Sequence, residues 1–135
     1  MKKEYTFPYK KEFSKLLGEI YRPVVEVHLR SKEGEWFKVF PYADSGADIT
    51  LFPRSVCRIL GLNLKDGKKS SIAGIGGRSL AVYLHKIKMR IGEKEVIVRV
   101  GFTQREDVPY LLGRLDILDH FNMCFEEDRV RFVEK

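Results

Sequence analysis

Two acids stand four positions apart around a Ser-Gly pair in the segment PYADSGADITLFP, residues 41 to 53. Asp44 follows an alternating apolar run, so it falls where a strand is expected to end. Asp, Ser and Gly are typical turn residues, because an Asp side chain can bond to backbone nearby. A carboxylate held at the end of a strand is also suited to proton transfer in hydrolysis. Asp44 is therefore interpreted either as a turn residue or as a catalytic acid.

A cluster of glycines follows some thirty residues later, in Ala73-Gly74-Ile75-Gly76-Gly77. The cluster lacks the last glycine of the dinucleotide-binding fingerprint, and the alternating segment LAVYL follows where that fingerprint needs a helix. Phosphate binding is therefore disfavoured, and the glycines are expected at the tip of a hairpin.

The segment Asp44 to Asp48, the glycine cluster and Leu111-Leu112-Gly113-Arg114 occur in this order along the chain. Together they resemble the retroviral-type, or retropepsin-like, aspartic proteases and their cellular prokaryotic relatives, over residues 22 to 133. The resemblance implies a mainly β, single-domain, closed barrel-like fold with a flap hairpin and short helices. It also implies an aspartic endopeptidase that uses neither a metal nor another cofactor.

The resemblance further implies a role for each matching residue. Three residues would be catalytic: Asp44, Ser45 and Gly46. Seven would contact the substrate: Ala47, Asp48, Ala73, Gly74, Ile75, Gly76 and Gly77. Three would support the catalytic loop from behind: Leu112, Gly113 and Arg114. The flap would close over an extended polypeptide substrate. Asp48 would pair with Arg114, whose planar guanidinium suits a two-bond contact. The alternative is that these are two unrelated surface charges.

Peptide hydrolysis by this route needs two carboxylates that share one proton. The chain contains a single Asp-Ser-Gly, so the resemblance implies a homodimer in which Asp44 meets its symmetry mate.

Local patterns predict the elements that would position these residues. In residues 12 to 21, apolar residues at helical spacing predict a short amphipathic helix. The chain is accordingly divided into an N-terminal extension, residues 1–21, and a protease domain, residues 22–135. VVEVHL and EWFKVF predict a hairpin, and Pro53 and Gly61 bracket a predicted helix in RSVCRIL.

The second half of the chain is predicted to be mostly strands. The alternation in residues 80 to 91 changes phase near His85, which predicts a bulge or bend there. EVIVRVGF is expected to pair back through the turn at residues 92–94. VPYLLG predicts a short strand, RLDILDHF a helix and NMCFEEDRVRFV a last hairpin.

Composition limits the other possibilities. The chain has 135 residues, a net charge of +6 and two distant cysteines, Cys57 and Cys124. We expect reduced thiols, no membrane partner and a cytoplasmic location. The cations are scattered among acids along the chain, so no nucleic-acid partner is expected.

Two rival functions stay open beside the enzyme. One is a non-catalytic module of the same fold that binds peptides or only dimerises. The other is a basic β domain that binds nucleic acid, which would need aromatic residues and cations to converge on one face.

Overall fold

A computed structural model describes residues 2–73 and 76–135 of the chain. The described part is mainly β, as predicted, and it has the following elements: β1 (Glu4–Pro8), β2 (Lys10–Ser14), β3 (Gly18–Arg22), β4 (Val27–Arg30), β5 (Trp36–Val39), β6 (Tyr42–Ala43), β7 (Thr50–Phe52), α1 (Arg54–Ile59), a 3-10 helix (Leu64–Asp66), β8 (Lys68–Ala73), β9 (Ser79–Ile91), β10 (Lys94–Phe102), β11 (Leu111–Leu112), β12 (Phe121–Phe125) and β13 (Arg129–Glu134). In this part of the chain, no helix has the length and apolar character needed to cross a membrane.

The largest sheet has the strand order β5-β4-β9-β10-β7-β11-β6, and β8 pairs with the first half of β9, residues 79–84. The predicted hairpins β4–β5 and β9–β10 are both confirmed. Of the bulge or bend predicted near His85, the bulge is absent, because each residue of β9 from Tyr83 to Ile91 faces one partner on β10. The change of phase instead coincides with a change of neighbour, since β8 pairs with residues 79–84 and β4 with residues 89–91.

A second sheet joins the two ends of the chain in the order β1-β13-β12. Its hairpin β12–β13 was predicted and is confirmed. Strand β1 runs antiparallel to β13, with Phe7 opposite Val130. The proposed division of the chain at residue 22 stays a prediction, but part of the segment before it is built into this sheet.

The helix predicted over residues 12 to 21 is wrong, because β2 and β3 form an antiparallel hairpin there. Two local features favour the turn between them. The hydroxyl oxygen of Ser14 accepts hydrogen bonds from the backbone N–H groups of Leu16 and Leu17, and Gly18 adopts a positive φ of 75°. Leu16 and Leu17 are 88% and 70% exposed, so the apolar spacing does not reflect a buried helical face.

The helix predicted over RLDILDHF is also wrong, because this segment is a succession of turns. Asp116 interrupts it with a φ of 65°, a left-handed conformation that is unfavourable for most residues. Its carboxylate accepts three hydrogen bonds of 2.9 Å from Arg99, one each from the backbone N–H, Nε and Nη2. The tertiary contact with β10 thus stabilises a conformation that a helix could not contain.

The helix predicted in RSVCRIL is confirmed as α1, with Pro53 directly before it and Gly61 at a φ of 75° after it. Both sheets and α1 contribute to one hydrophobic core. Its largest fully buried side chains include Phe52 and Phe102 from the large sheet and Phe121 and Phe132 from the second sheet. The core therefore includes residues of β6 and β7, the strands on either side of the loop at residues 44–49, which we call the Asp44 loop.

Candidate active site

The Asp44 loop begins where the short strand β6 ends. Strand β6 runs parallel to β11, with Ala43 opposite Leu112. The backbone N–H of Asp44 donates to the carbonyl oxygen of Leu112 at 3.0 Å, and Leu112 is fully buried. Asp44 is thus fixed at the end of a strand that is anchored in the core.

Hydrogen bonds within the loop orient the carboxylate of Asp44. The backbone N–H of Gly46 donates to Oδ1 at 2.9 Å, and the N–H of Ala47 donates to the backbone carbonyl of Asp44 at 3.1 Å. Oδ2 has no hydrogen bond from the described residues. The turn predicted for this segment is therefore present, and it leaves one carboxylate oxygen free to react.

The segment after β11 passes directly behind this loop. A Cβ atom on Gly113 would lie 2.3 Å from the carbonyl oxygen of Ile49 and 2.8 Å from that of Ala47, so only glycine fits. The N–H of Gly113 donates to Oγ1 of the buried Thr50 at 3.1 Å. The N–H of Arg114 donates to the carbonyl of Ala47 at 3.0 Å, so this segment is hydrogen-bonded directly to the Asp44 loop.

The structure brings Asp48 and Arg114 into contact. One guanidinium nitrogen, Nη2, donates to Oδ1 of Asp48, so the pair has a single bond and not the two-bond contact considered from the sequence. The Asp48 side chain is 83% exposed, and exposed pairs of this kind contribute little to stability. A second bond joins the same segments, from the N–H of Leu115 to the carbonyl of Asp48 at 2.9 Å.

A cleft of about 930 Å³ opens beside the loop. Its lining contains two carboxylates, Asp44 and Asp48, among mostly small and apolar residues: Gly46, Ala47, Ile49, Leu51, Ser71, Ile72, Ala73, Pro109 and Leu111. A cavity of about 310 Å³ elsewhere, beside Phe40 and Ile59, has no carboxylate in its lining. Carboxylates also line a cavity of about 690 Å³, through Glu127 and Asp128, but that cavity contains no residue of the segment Asp44 to Asp48.

The hairpin β8–β9 forms one wall of the cleft, through Ser71, Ile72 and Ala73. Gly76 and Gly77 lie between its two strands with φ values of 86° and 77°, and a Cβ atom on either would meet open space. Gly74 and Ile75, predicted as the substrate-binding tip, lie outside the described residues. The described members of the glycine cluster thus belong to a hairpin beside Asp44.

The strand that carries Asp44 is also tied to the N-terminal hairpin. The Tyr42 hydroxyl donates to the Glu12 carboxylate at 3.0 Å, and Nε of Arg22 lies 3.1 Å from the same carboxylate. Burial and then the Glu12 contact raise the pKa of Tyr42 above its usual range. These contacts fix a residue two positions before Asp44.

Sequence analysis missed several residues that shape this site. Thr50 could have been noticed as a lone hydroxyl in the apolar segment ITLF, but the contact of Glu12 with Tyr42 spans thirty positions and has no local signal. Within residues 2–73 and 76–135, no three His, Cys, Asp or Glu side chains gather as a metal site.

Comparisons with known proteins bear on the fold. No protein-family model and no curated protein matches the chain. Among solved structures, the chain is similar to a retropepsin-like aspartic protease from Rickettsia conorii, with a TM-score of 0.65 and 16% sequence identity. The match covers 96% of this chain and 98% of that one. The chain therefore has the retropepsin-like fold.

Proposed function

We propose that the chain is an aspartic endopeptidase subunit and that Asp44 is its catalytic residue. The observation that carries the proposal is the position of the Asp44 carboxylate, which faces a large cleft with Oδ1 held by Gly46 and Oδ2 free of hydrogen bonds from the described residues. The retropepsin-like fold supports this assignment.

The reaction needs a second carboxylate, which we propose comes from a second copy of the chain. An ionised carboxylate takes a proton from the attacking water, while its protonated neighbour donates one to the scissile carbonyl oxygen. The other acid of the cleft, Asp48, is engaged by Arg114. A two-fold axis beside Asp44 would place two equivalent loops together and complete one site.

The substrate is proposed to be an extended polypeptide. Strand β8 pairs only with β9 among the described strands, so its other edge can accept a peptide as an added strand. In this proposal the β8–β9 hairpin is the flap, with Ala73, Gly74, Ile75, Gly76 and Gly77 at its end. Ala47 and Asp48 contact the substrate from the side of the cleft that carries Asp44. Closure would exclude water other than the nucleophile.

Ser45 and Gly46 support the carboxylate in this mechanism. Gly46 supplies the N–H that orients Oδ1, and a Cβ atom at this position would lie only 3.3 Å from that oxygen. Ser45 is exposed, so its hydroxyl is available to the neighbouring subunit. No metal or other cofactor takes part in the proposed reaction. We place the enzyme in the cytoplasm, where Cys57 and Cys124 would stay free thiols, as they are here.

The variant Asp44→Asn tests the assignment. We expect at least a thousandfold loss of cleavage of an unfolded protein substrate, because the amide cannot share a proton, while the circular dichroism spectrum stays the same. Asp66→Asn is the matched control, since Asp66 is exposed and outside the cleft. Full activity of Asp44→Asn contradicts the proposal. Peptide binding without cleavage by the unchanged protein at any pH supports the non-catalytic module instead.

A further inference from the structure

The outer surface of the large sheet gathers cations that are scattered in the sequence. Buried and more exposed residues alternate in β4, in residues 86–91 of β9 and in residues 95–100 of β10, and Lys38 is the exposed residue of β5. Six cations stand at the solvent-facing positions, and we call this surface the basic face: Arg30, Lys38, Lys86, Lys88, Arg90 and Arg99. The acids beside these cations are Glu26, directly before β4, Glu95 of β10, and Asp116, which binds Arg99.

Strand register places these side chains beside one another. Lys38 lies opposite His28, and His28 lies opposite Arg90 on the next strand. Lys86 lies opposite Arg99. Lys86, Lys88 and Arg90 recur at every second residue of β9, and are therefore about 7 Å apart in a line along one face.

Four of the six cations have no acidic partner in the described part of the chain. Arg99 is bound by Asp116 at 2.9 Å, and Lys38 lies 3.8 Å from Glu26. Arg30, Lys86, Lys88 and Arg90 form no ion pair with residues 2–73 or 76–135, although Arg90 has Glu95 as its cross-strand neighbour. Their charge is therefore available to an external anion.

An aromatic side chain lies at the edge of the same surface. Trp36 is the sole tryptophan of the chain, and it is half-buried on the edge strand β5. The guanidinium of Arg90 lies 4.1 Å from its ring centroid and that of Arg30 lies 5.7 Å away. Planar guanidinium and indole groups are those on which unpaired nucleobases stack.

We propose that the basic face binds single-stranded nucleic acid. The cations of β9 would follow the phosphate backbone, and bases would stack at the Trp36, Arg30 and Arg90 group. A single strand fits better than a duplex because its bases are free to stack. No residue of the basic face lines the cleft at Asp44, so this inference does not depend on the proposed protease activity.

Fluorescence of Trp36 reports binding directly, because no other tryptophan contributes. The full chain is titrated with a single-stranded thymidine 20-mer at several salt concentrations. We expect quenching of the tryptophan signal and a slope of log K against log salt of about −3, since four free cations each displace a counterion. Absence of quenching at low salt overturns the proposal.

Matched double variants test where binding occurs. Lys86→Gln with Lys88→Gln should weaken binding by roughly tenfold or more at low salt, because two phosphate contacts are lost. The control, Lys10→Gln with Lys15→Gln, makes the same charge change on exposed positions of the β2–β3 hairpin. Equal affinity of the two variants overturns the proposal. So does binding to phosphatidylserine vesicles that the 20-mer cannot displace, since the partner would then be a lipid surface.

Discussion

At the scale of single residues, the Asp44 loop depends on atoms that a larger side chain would displace. Gly46 lies against the oxygen that it orients, and Gly113 lies against two carbonyl groups of the loop. The exposed Asp48–Arg114 pair contributes less than these backbone contacts, since solvent screens it. The geometry of the carboxylate is therefore set mainly by backbone packing.

Gly113→Ala is expected to lower the free energy of unfolding by about 3 kcal/mol, because the new methyl group overlaps the backbone of Ile49 and Ala47. Gly18→Ala is the control: its Cβ meets nothing within 4 Å, and only the positive φ costs about 1 kcal/mol. Urea unfolding measures both. Equal losses in the two variants would show that the loop can shift to accept the methyl group.

Ala47→Ser should move the pH profile of kcat/KM towards acid. Ala47 lines the cleft beside Asp44, and a hydroxyl there can donate a hydrogen bond that favours an ionised carboxylate. Initial rates of peptide cleavage across pH provide the measurement, with Ala47→Val as a control that adds bulk without a donor. A profile that stays in place, or moves alkaline in Ala47→Ser, rules out the hydroxyl effect.

At the scale of elements, long-range side-chain contacts join segments that are distant in sequence. Glu12 of β2 contacts Tyr42 of β6, and Asp116 joins the turns before β12 to Arg99 of β10. In each case a carboxylate adds a contact with a distant segment to the backbone hydrogen bonds that the short element already makes. The proposed active-site loop lies between two such elements, β6 and the segment after β11.

Asp116→Asn should destabilise the fold by about 2 kcal/mol at neutral pH, through loss of a charged hydrogen-bond network. The Arg99 guanidinium lowers the pKa of Asp116 below its usual range. The stabilisation is therefore present above the ordinary Asp pKa and is lost as pH falls through the lowered value. Urea unfolding at neutral and strongly acidic pH should show the difference between variant and parent shrinking in acid.

Asp66→Asn is the control for this measurement, because Asp66 is exposed and forms no ion pair within the described residues, whereas the charge of Asp119 acts on Arg99. A difference between Asp116→Asn and the parent that persists unchanged in strong acid would show that the Asp116 charge is not its source.

At the scale of the whole molecule, the chain presents one proposed catalytic carboxylate and two surfaces with separate properties. The cleft at Asp44 is mostly apolar, whereas the basic face on β4, β5, β9 and β10 is charged and carries Trp36. A dimer built around Asp44 would leave the two basic faces of the assembly outside the catalytic cleft.

Mixing wild-type chains with Asp44→Asn chains should reveal a shared site. If each active site needs two Asp44 residues, an equimolar mixture that exchanges subunits retains about a quarter of the activity of the same total wild-type protein. Independent monomeric sites would retain half. Asp66→Asn, mixed in the same way, should leave the activity unchanged.

Dilution provides a second measurement of the same prediction, since activity per chain should fall as the subunits dissociate. A protein that sediments as a monomer and keeps full activity per chain would contradict the shared site.

The sequence by itself determined the elements whose signals are local. Pro53 and Gly61 bracket α1, and alternating apolar residues mark the hairpins β4–β5, β9–β10 and β12–β13. Helix ends and half-buried strands follow from the backbone preferences of neighbouring residues, so they can be recognised without a fold. The order of three motifs also singled out Asp44, Asp48 and Arg114.

Only the tertiary structure decided the rest. Residues 12 to 21 have helical spacing, yet they form a hairpin whose turn Ser14 and Gly18 favour and whose first strand contacts β6. Arg99 likewise holds Asp116 in a conformation that breaks the predicted helix. The basic face arises in the same way, because strand pairing brings together cations that are up to sixty-nine positions apart, from Arg30 to Arg99. Such contacts depend on which strands and turns become neighbours in the fold, as where His28 of β4 lies opposite Arg90 of β9, and no local pattern of residues specifies that choice.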